Sequence, residues 1–516
     1  MEKITAEYSR CKRLADAFCE SSADYALPDY NGEMRKVLYA GARVLPSAKF
    51  LDGDTVNSSG IVVYDFIYLN GDGKLDRISF NSDYELTSRT GCDNPRHSAL
   101  EASVSGFSYR LLGPRRVSAK ATVSVGVSVV EPRELVTECC AMSDAETAGE
   151  KLFVSAAVFA EPKERELAET LIRFDGAIAD EVEVLYTSVS AYADTVKAEE
   201  SGFLVKGSAT VASLIKVGSE PPMLYKKKIP FEELVSAPEV NETMSALPKV
   251  TVTSERCEVV ADEDGTSVNA SVILEVSGKA YYNQPLEVIK DAYLKTHETE
   301  NTYEKFVYTV NTACEMHSFD ISEKIPLSEL SLGEVREVVF ISGVPKLDVE
   351  AVAGSTLTVM GELRCSVISM SVDESGEESY SSAKFSLPIK QNVTLSSQIP
   401  QNSDIDVNFV LKDIGAVVDE ESIYVDASMI VEVCVNSDME TERLASLSLV
   451  PDGEIEPRRS VITVYYTSAE DTLFGVAKKF RTSPEKIAAD NALTESVMKS
   501  TTDSSSLLGV KRLIIK

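Results

Sequence analysis

Apolar and polar side chains alternate along much of this chain. Val123, Val125, Val127 and Val129 are separated by serine or glycine, the period-two pattern of a strand with one buried face. Clusters of turn-forming residues, such as Asn-Gly-Asp-Gly at 70–73, interrupt these segments roughly every 8–15 residues. We therefore predict a mainly β fold, with antiparallel sheets packed as sandwiches.

Similar segments recur at long intervals. Three nine-residue strings begin at Val117, Val268 and Val425, and they share valine at the first and ninth positions and alanine at the third. Their starts lie 151 and 157 residues apart. Upstream of each string is a triplet of two aliphatic residues and one aromatic residue, spaced by 147 and 154 residues, at 37–39, 184–186 and 338–340. Because two independent markers share one period, the sequence predicts three tandem β-sandwich-like repeat units of about 150 residues.

The N-terminus has a different periodicity. The apolar residues Ile4, Tyr8, Cys11, Ala15 and Phe18 are spaced by four and three. This spacing predicts an amphipathic helix whose apolar side packs on another element, and we expect that element to be the first repeat unit.

The patterns divide the chain into six parts. Residues 451–457 (Pro-Asp-Gly-Glu-Ile-Glu-Pro) are polar and contain the turn formers of a linker. The predicted parts are an N-terminal helix and lead-in at 1–30, repeat units at 31–150, 151–310 and 311–450, a linker at 451–460, and a separate module at 461–516.

The C-terminal module combines strand and helix signals. Leu473, Val476, Ala477 and Phe480 follow the spacing of one helical face. A second helix is predicted after Ser483, because serine caps helix N-termini and proline at the next position suits the first turn. With short apolar strands at 461–466 and 510–515, the predicted order is strand, helix, helix, strand (βααβ).

At these residues the module resembles a LysM domain. The matching residues are Tyr465, Thr467, Asp471, Thr472, Leu473, Val476, Ala477, Phe480, Ser483, Ile487 and Asn491. The resemblance implies a shallow groove for N-acetylglucosamine polymers between two loops. Its residues would be Asp471, Thr472, Leu473 and Phe474 on one side and Asn491, Ala492 and Leu493 on the other. The apolar helical side chains are equally explained as the core of the module, which leaves the ligand of the groove open.

The charge balance narrows the classes of partner. The 51 Lys and Arg residues against 82 Asp and Glu residues give a net charge of −31, which disfavours nucleic acid and anionic membranes as partners. The sequence has no signal-like start and no apolar run of about 18 residues, so we predict a cytoplasmic protein without membrane insertion. The nine scattered cysteines are expected to be reduced thiols.

The repeats, read together with the module, resemble the SPOCS-type domains of spore-coat-associated proteins in endospore-forming Firmicutes. The residues that carry this resemblance are Leu-Pro-Asp at 27–29, Ile-Pro-Phe at 229–231 and Val-Ile-Lys-Asp-Ala-Tyr at 288–293. The resemblance implies a protein of the mother cell that lies at the forespore surface. It also implies that the LysM module can hold the ATPase that forms the basement layer of the coat.

Motifs for catalysis, cofactors or metals are scarce. Three histidines, with no Gly-x-Ser-x-Gly elbow and no phosphate-binding glycine loop, give little basis for an enzyme, and we predict no cofactor and no metal. Residues 70–76 imitate part of a calcium loop, but Tyr68 and Ser79 occupy positions that need carboxylates, so a hairpin turn is preferred. A cleft with clustered carboxylates of perturbed pKa would favour an enzyme.

Two functions remain after these exclusions. The first is a non-enzymatic scaffold of spore-coat assembly whose module docks the basement-layer ATPase. The alternative is a peptidoglycan-binding module carried on a stalk of repeats.

Overall fold

The chain is mainly β, as the alternation predicts. The computed structural model describes residues 2–29, 31–92, 95, 97–139, 144–176, 178–262, 265–374, 376–456, 462–494, 507 and 509–516. In this part of the chain, strands form six sheets, and the two α-helices both lie in the C-terminal module.

The first segment contains seven strands. They are β1 (Glu2–Arg13), β2 (Ala17–Ala26), β3 (Lys36–Asp52), β4 (Thr55–Leu69), β5 (Leu75–Arg89), β6 (His97–Gly113) and β7 (Arg116–Cys139). Strands β3, β4 and β5 form an antiparallel sheet, with the predicted hairpin turn at 70–74 between β4 and β5. The long strand β7 pairs with β6 on one edge and with β1 and β2 on the other.

The helix predicted within residues 1–30 is wrong, because this segment forms β1 and β2. Residues 2–13 pair in an unbroken register with residues 128–139 of β7, and residues 17–26 pair with 116–125. Pairing gives hydrogen-bond partners to an edge of β7 that would otherwise stay open. The stabilisation from this long-range pairing outweighs the local preference of the segment for a helix. Phe18, which the helix would have buried, is 62% exposed.

The second segment repeats this order of strands. They are β8 (Ala145–Phe159), β9 (Lys163–Asp175), β10 (Val182–Glu199), β11 (Gly202–Val217), β12 (Met223–Ser236), β13 (Ser245–Asp262) and β14 (Gly265–Leu294). Strands β10, β11 and β12 form a three-stranded sheet. Strand β14 pairs with β13 on one edge and with β8 and β9 on the other.

The third segment follows the same order, but its single long first strand takes the place of the two strands that begin each of the other segments. It contains β15 (His297–Pro326), β16 (Glu337–Ala353), β17 (Thr356–Val372), β18 (Glu378–Thr394), β19 (Ser403–Asp419) and β20 (Ser422–Glu454). Strands β16, β17 and β18 form a sheet, and β20 pairs with β19 and β15. The predicted boundaries 150/151 and 310/311 fall inside β8 and β15, and residues 451–454 of the predicted linker belong to β20. Residues 457–460 lie outside the described residues.

The two sequence markers occupy corresponding places in the three segments. The nine-residue strings lie in β7, β14 and β20, and the valine that begins each string is fully buried. The triplets lie near the starts of β3, β10 and β16, and each contains a bulge in the register. Their aromatic rings meet at one point: Tyr39 lies 5.6 Å from Tyr186 and 4.8 Å from Phe340, and Tyr186 lies 4.9 Å from Phe340.

The C-terminal module has the predicted order of elements. Strand β21 (Thr463–Tyr466) pairs antiparallel with β22 (Arg512–Ile515), and helices α1 (Leu473–Phe480) and α2 (Pro484–Asp490) lie between them in the chain. The Thr472 side chain caps α1 by accepting a hydrogen bond from the Gly475 amide, and Ser483 caps α2 in the same way through Lys486.

Candidate functional site

Two residues of the predicted groove are buried by the fold. Leu473 has no exposed surface and lies in the module core with Val476, Ile487 and Leu513. Phe474 is 4% exposed because its ring packs against Tyr293 of β14, with 5.2 Å between ring centroids. Their side chains therefore stabilise the module and its contact with the second segment.

Asp471 and Thr472 hold the loop that leads into α1. The Asp471 carboxylate accepts hydrogen bonds from the Ser468 amide at 2.7 Å and from the Tyr465 hydroxyl at 3.0 Å. These bonds, the Ser468 amide first, lower the pKa of Asp471, since they stabilise its charged form. Thr472 serves as the helix cap. Both side chains are half-buried and have structural partners.

The second groove loop is fastened to β22. The Asn491 amide donates to the carbonyl of Ile514 at 2.7 Å and accepts from the Ile514 amide at 2.6 Å. Ala492 is exposed and has a left-handed backbone with a φ of 50°. Leu493 is half-buried against the module core. Of the seven predicted groove residues, Ala492 has the most open side chain.

The outer face of the module sheet carries an unexpected apolar surface. Val464 and Ile514 are partners across β21 and β22, and they are 49% and 37% exposed. Ile462 and Tyr466 extend the same face and are 66% and 74% exposed. We call these four residues the outer sheet face. Exposed basic residues border it along β22, at Lys511, Arg512 and Lys516.

The sequence contained a signal for this surface. Ile462, Val464 and Tyr466 alternate in a segment predicted only as a short apolar strand. Period two places one set of side chains on the outside of a two-stranded sheet, and only Leu513 and Ile515 face inward from β22 with almost no exposure. An apolar, solvent-facing strip of this kind is typical of a protein interaction site.

The module is fixed to the second segment through the end of β14. The Tyr293 hydroxyl donates to the Thr482 carbonyl at 2.5 Å, and Tyr293 itself is fully buried. Lys478 of α1 forms an ion pair with Asp291 at 2.6 Å. Both Asp291 and Tyr293 belong to the 288–293 motif. This contact orients the module so that the outer sheet face points into solvent.

A second candidate site is a large cavity where the three segments meet. Its volume is about 1250 Å³, and strands of all three segments line it. Glu101, Lys249 and Asp406 occupy corresponding register positions in β6, β13 and β19, opposite Gly126, Ser277 and Cys434. The same place in each segment therefore supplies a charged side chain to the cavity wall, which is negative in the first and third segments and positive in the second.

Ion pairs in this cavity join one segment to another. Lys249 lies 3.7 Å from Glu101, Arg13 lies 3.4 Å from Asp406, and Lys279 lies 3.6 Å from Asp406. Burial lowers the pKa of Lys249 to about 8, although the carboxylate of Glu101 opposes this shift. The charged side chains therefore link the segments in pairs, and removing one partner would leave the other charge without its ion pair.

The cavity also contains carboxylates whose pKa values are shifted in opposite directions. Burial raises the pKa of Glu432 to about 7, with Glu101 adding to the rise. Burial also opposes ionisation of Glu101, but Lys249, Lys279 and Arg13 outweigh it, and the pKa of Glu101 is lowered. A general acid and base would need such a difference. The cavity therefore has the perturbed carboxylates that would favour an enzyme. However, Glu101 is engaged by Arg13 and Lys249, and Glu432 accepts a hydrogen bond from Asn408 at 3.0 Å, so both have structural partners.

The described residues show neither a metal site nor a membrane-spanning helix. They contain no group of three or more His, Cys, Asp or Glu side chains arranged to hold a metal ion. Neither described helix is long and apolar enough to cross a bilayer. Comparisons with protein-family models, with curated proteins and with solved structures found no match for this chain.

Proposed function

We propose that this protein is a non-enzymatic scaffold of spore-coat assembly, in which the C-terminal module docks the basement-layer ATPase at the forespore surface. The resemblance of 461–516 to LysM domains and of the repeats to SPOCS-type domains supplies the biological setting. The outer sheet face is the observation that carries the docking role, since four exposed apolar side chains and a basic border suit a protein surface.

We also propose that residues 2–454 consist of three copies of one unit, with starts near Glu2, Ala145 and His297. The supporting observations are the recurring strand order, the corresponding positions of the nine-residue strings and the bulged triplets. Each copy then includes the strands that pair with its last strand. Three copies joined through buried contacts provide a rigid support for the module.

The position of the groove residues favours a protein over a glycan as the ligand. Leu473 and Phe474 are buried, and Asp471, Thr472 and Asn491 make internal hydrogen bonds. The outer sheet face, by contrast, offers side chains whose burial would each contribute about 1.5–3 kcal/mol if complete. A partner with an acidic border around an apolar patch would complement both parts of this surface.

Binding assays on the full chain test this proposal. The probes are the purified basement-layer ATPase and insoluble peptidoglycan. We expect the ATPase to capture the chain and Val464→Asp to weaken capture more than tenfold, because a carboxylate on the outer sheet face would have to be desolvated. Val417→Asp is the matched control, since Val417 is 66% exposed on β19.

A second variant tests the glycan ligand. Ala492→Asn adds bulk and polarity to the exposed groove loop, and asparagine tolerates the left-handed backbone there. We expect this variant to bind the ATPase like the unaltered chain. The glycan-binding function would replace the scaffold under three conditions. Peptidoglycan would retain the unaltered chain, it would no longer retain Ala492→Asn, and Val464→Asp would change binding to neither probe.

A further inference from the structure

Two cysteines of the third segment lie directly opposite each other. Cys314 on β15 and Cys434 on β20 are register partners in an antiparallel pair, so their side chains point to the same side of the sheet. Partners of this kind have Cα atoms about 4.5–5.5 Å apart, inside the range that a disulfide spans. Both cysteines are free thiols and are buried in one apolar cluster.

Cys434 also lines the cavity between the segments. A reagent of the size of hydrogen peroxide can enter a cavity of about 1250 Å³, which is far larger than one water molecule requires. Cys434 is therefore a buried thiol in the wall of this cavity, and its partner Cys314 on the neighbouring strand lines a second pocket of about 540 Å³.

The surroundings of Cys434 favour its thiolate. The side-chain amides of Asn311 and Asn436 lie 3.4 Å and 3.5 Å from its sulfur, as N–H donors. The neighbouring Cys314 thiol is the main cause that lowers the pKa of Cys434; burial opposes the shift and nearby Lys279 supports it. The pKa of Cys314 is correspondingly raised, by its partner Cys434 first and by burial second.

Two other cysteines, Cys11 beside the cavity and Cys365 in a core, have less reactive settings. Burial raises the pKa of Cys11 to about 11 and that of Cys365 to about 12. Cys365 lies opposite Phe385 across β17 and β18, so its directly paired residue offers no thiol. A thiolate-stabilising site with a second thiol opposite is thus a property of the Cys314 and Cys434 pair.

We propose that Cys434 and Cys314 form an oxidation site for small peroxides, with Cys434 as the attacking sulfur and Cys314 as the resolving sulfur. The Cys434 thiolate attacks one oxygen of hydrogen peroxide, the O–O bond breaks, and hydroxide leaves as Cys434 becomes a sulfenic acid. The Cys314 thiol gives its proton to that hydroxide, forming water. The Cys314 thiolate then attacks the Cys434 sulfur, an S–S bond forms, and the S–O bond of the sulfenic acid breaks to release a second hydroxide. The proton that Cys434 lost when it ionised converts this hydroxide to water. In total, two thiols lose two electrons and one peroxide yields two waters.

The disulfide would join the first and last strands of the third segment. These strands already pair along 28 positions of the register, so the bond would add a covalent link without requiring a new arrangement of the chain. It would also remove the thiolate from the cavity wall.

Peroxide treatment of the full chain tests the site. The chain is exposed to hydrogen peroxide at one equivalent, the remaining thiols are alkylated in denaturant, and the peptides are analysed by mass spectrometry without reduction. We expect the 314–434 disulfide to form at least tenfold more than any other cysteine pair. In Cys314→Ala we expect Cys434 to stop at the sulfenic acid, which a dione reagent traps.

Two further variants complete the test. Cys434→Ala is expected to leave Cys314 reduced, and Cys365→Ala is the matched control for loss of a buried thiol, with the 314–434 disulfide unchanged. If Cys434→Ala does not fold, Cys434→Ser replaces it. The proposal is overturned if Cys314 and Cys434 both remain alkylatable while other cysteines are oxidised, or if Cys434 forms its bond with Cys11.

Discussion

Tyr293 offers the sharpest test of how the module is held on the second segment. Its ring is fully buried against Phe474, and its hydroxyl donates to the Thr482 carbonyl at 2.5 Å. Replacing a buried aromatic residue with alanine typically costs about 3–5 kcal/mol, because packing is lost and a cavity remains. Tyr293→Phe removes only the hydrogen bond and leaves a buried carbonyl without its donor, at a cost of about 1–3 kcal/mol.

Amide hydrogen exchange in α1 and α2 measures these costs. Since about 1.4 kcal/mol corresponds to a tenfold change in an equilibrium constant, Tyr293→Ala should speed exchange of these helices roughly 100-fold to 3000-fold, and Tyr293→Phe roughly 5-fold to 100-fold. Tyr303→Phe is the matched control, because Tyr303 is 46% exposed and also bonds to Asp291. We expect less than a fivefold effect from it.

One pattern of exchange would refute the reasoning. If Tyr293→Ala accelerated exchange only in the last residues of β14 and left α1 and α2 unchanged, the module core would be independent of Tyr293. The shared apolar cluster would then not act as one cooperative unit.

The body of the protein gives two further predictions. Phe340→Ala should lower the free energy of unfolding by about 3–5 kcal/mol in urea titrations, because Phe340 joins the three segments at their aromatic meeting point. The control is Val344→Ala on the same strand, which should cost less than about 0.5 kcal/mol because Val344 is 63% exposed. Equal effects of the two variants would exclude a central role for the aromatic cluster. Burial holds the pKa of Glu432 near 7, above the value of 4.5 for a free carboxyl, so folding favours its protonated form, and this group's contribution to stability is lost as pH rises from 4.5 to 7. Glu432→Gln should therefore gain up to about 3 kcal/mol over the unaltered chain between pH 4.5 and 8, and a difference that does not change with pH would contradict the assigned burial.

The sequence allowed the elements to be predicted where one local pattern was decisive. Alternating valines and serines predicted β7, and the capping residue Ser483 predicted where the second helix begins. In each case the responsible interaction is local or depends only on which side of an element is apolar. The mainly β fold and the helices of the module follow from such signals.

The N-terminus illustrates why other features could not be predicted. The spacing of Tyr8, Cys11 and Phe18 is compatible with a helix, and only the open edge of β7, more than a hundred residues away, selects a strand. The extents of β8 and β15 have the same cause, because β14 and β20 determine them by pairing. The register between strands that are distant in the chain cannot be predicted from the local sequence of either strand.

The candidate sites show the same division. The core role of Leu473 was recognisable, but the burial of Phe474 depends on Tyr293 in another segment. The cavity charges Glu101, Lys249 and Asp406 are far apart in the chain and lie in unremarkable alternating strands. Their common position becomes visible only when the registers of the three segments are compared.

The most direct test of the scaffold proposal is a calorimetric titration of the full chain with the purified basement-layer ATPase, with and without a saturating N-acetylglucosamine oligomer. We predict that the oligomer leaves the Kd unchanged and that Tyr466→Asp weakens binding more than tenfold, because the outer sheet face makes the contact. Displacement of the ATPase by the oligomer, or full affinity in Tyr466→Asp, would contradict the proposal.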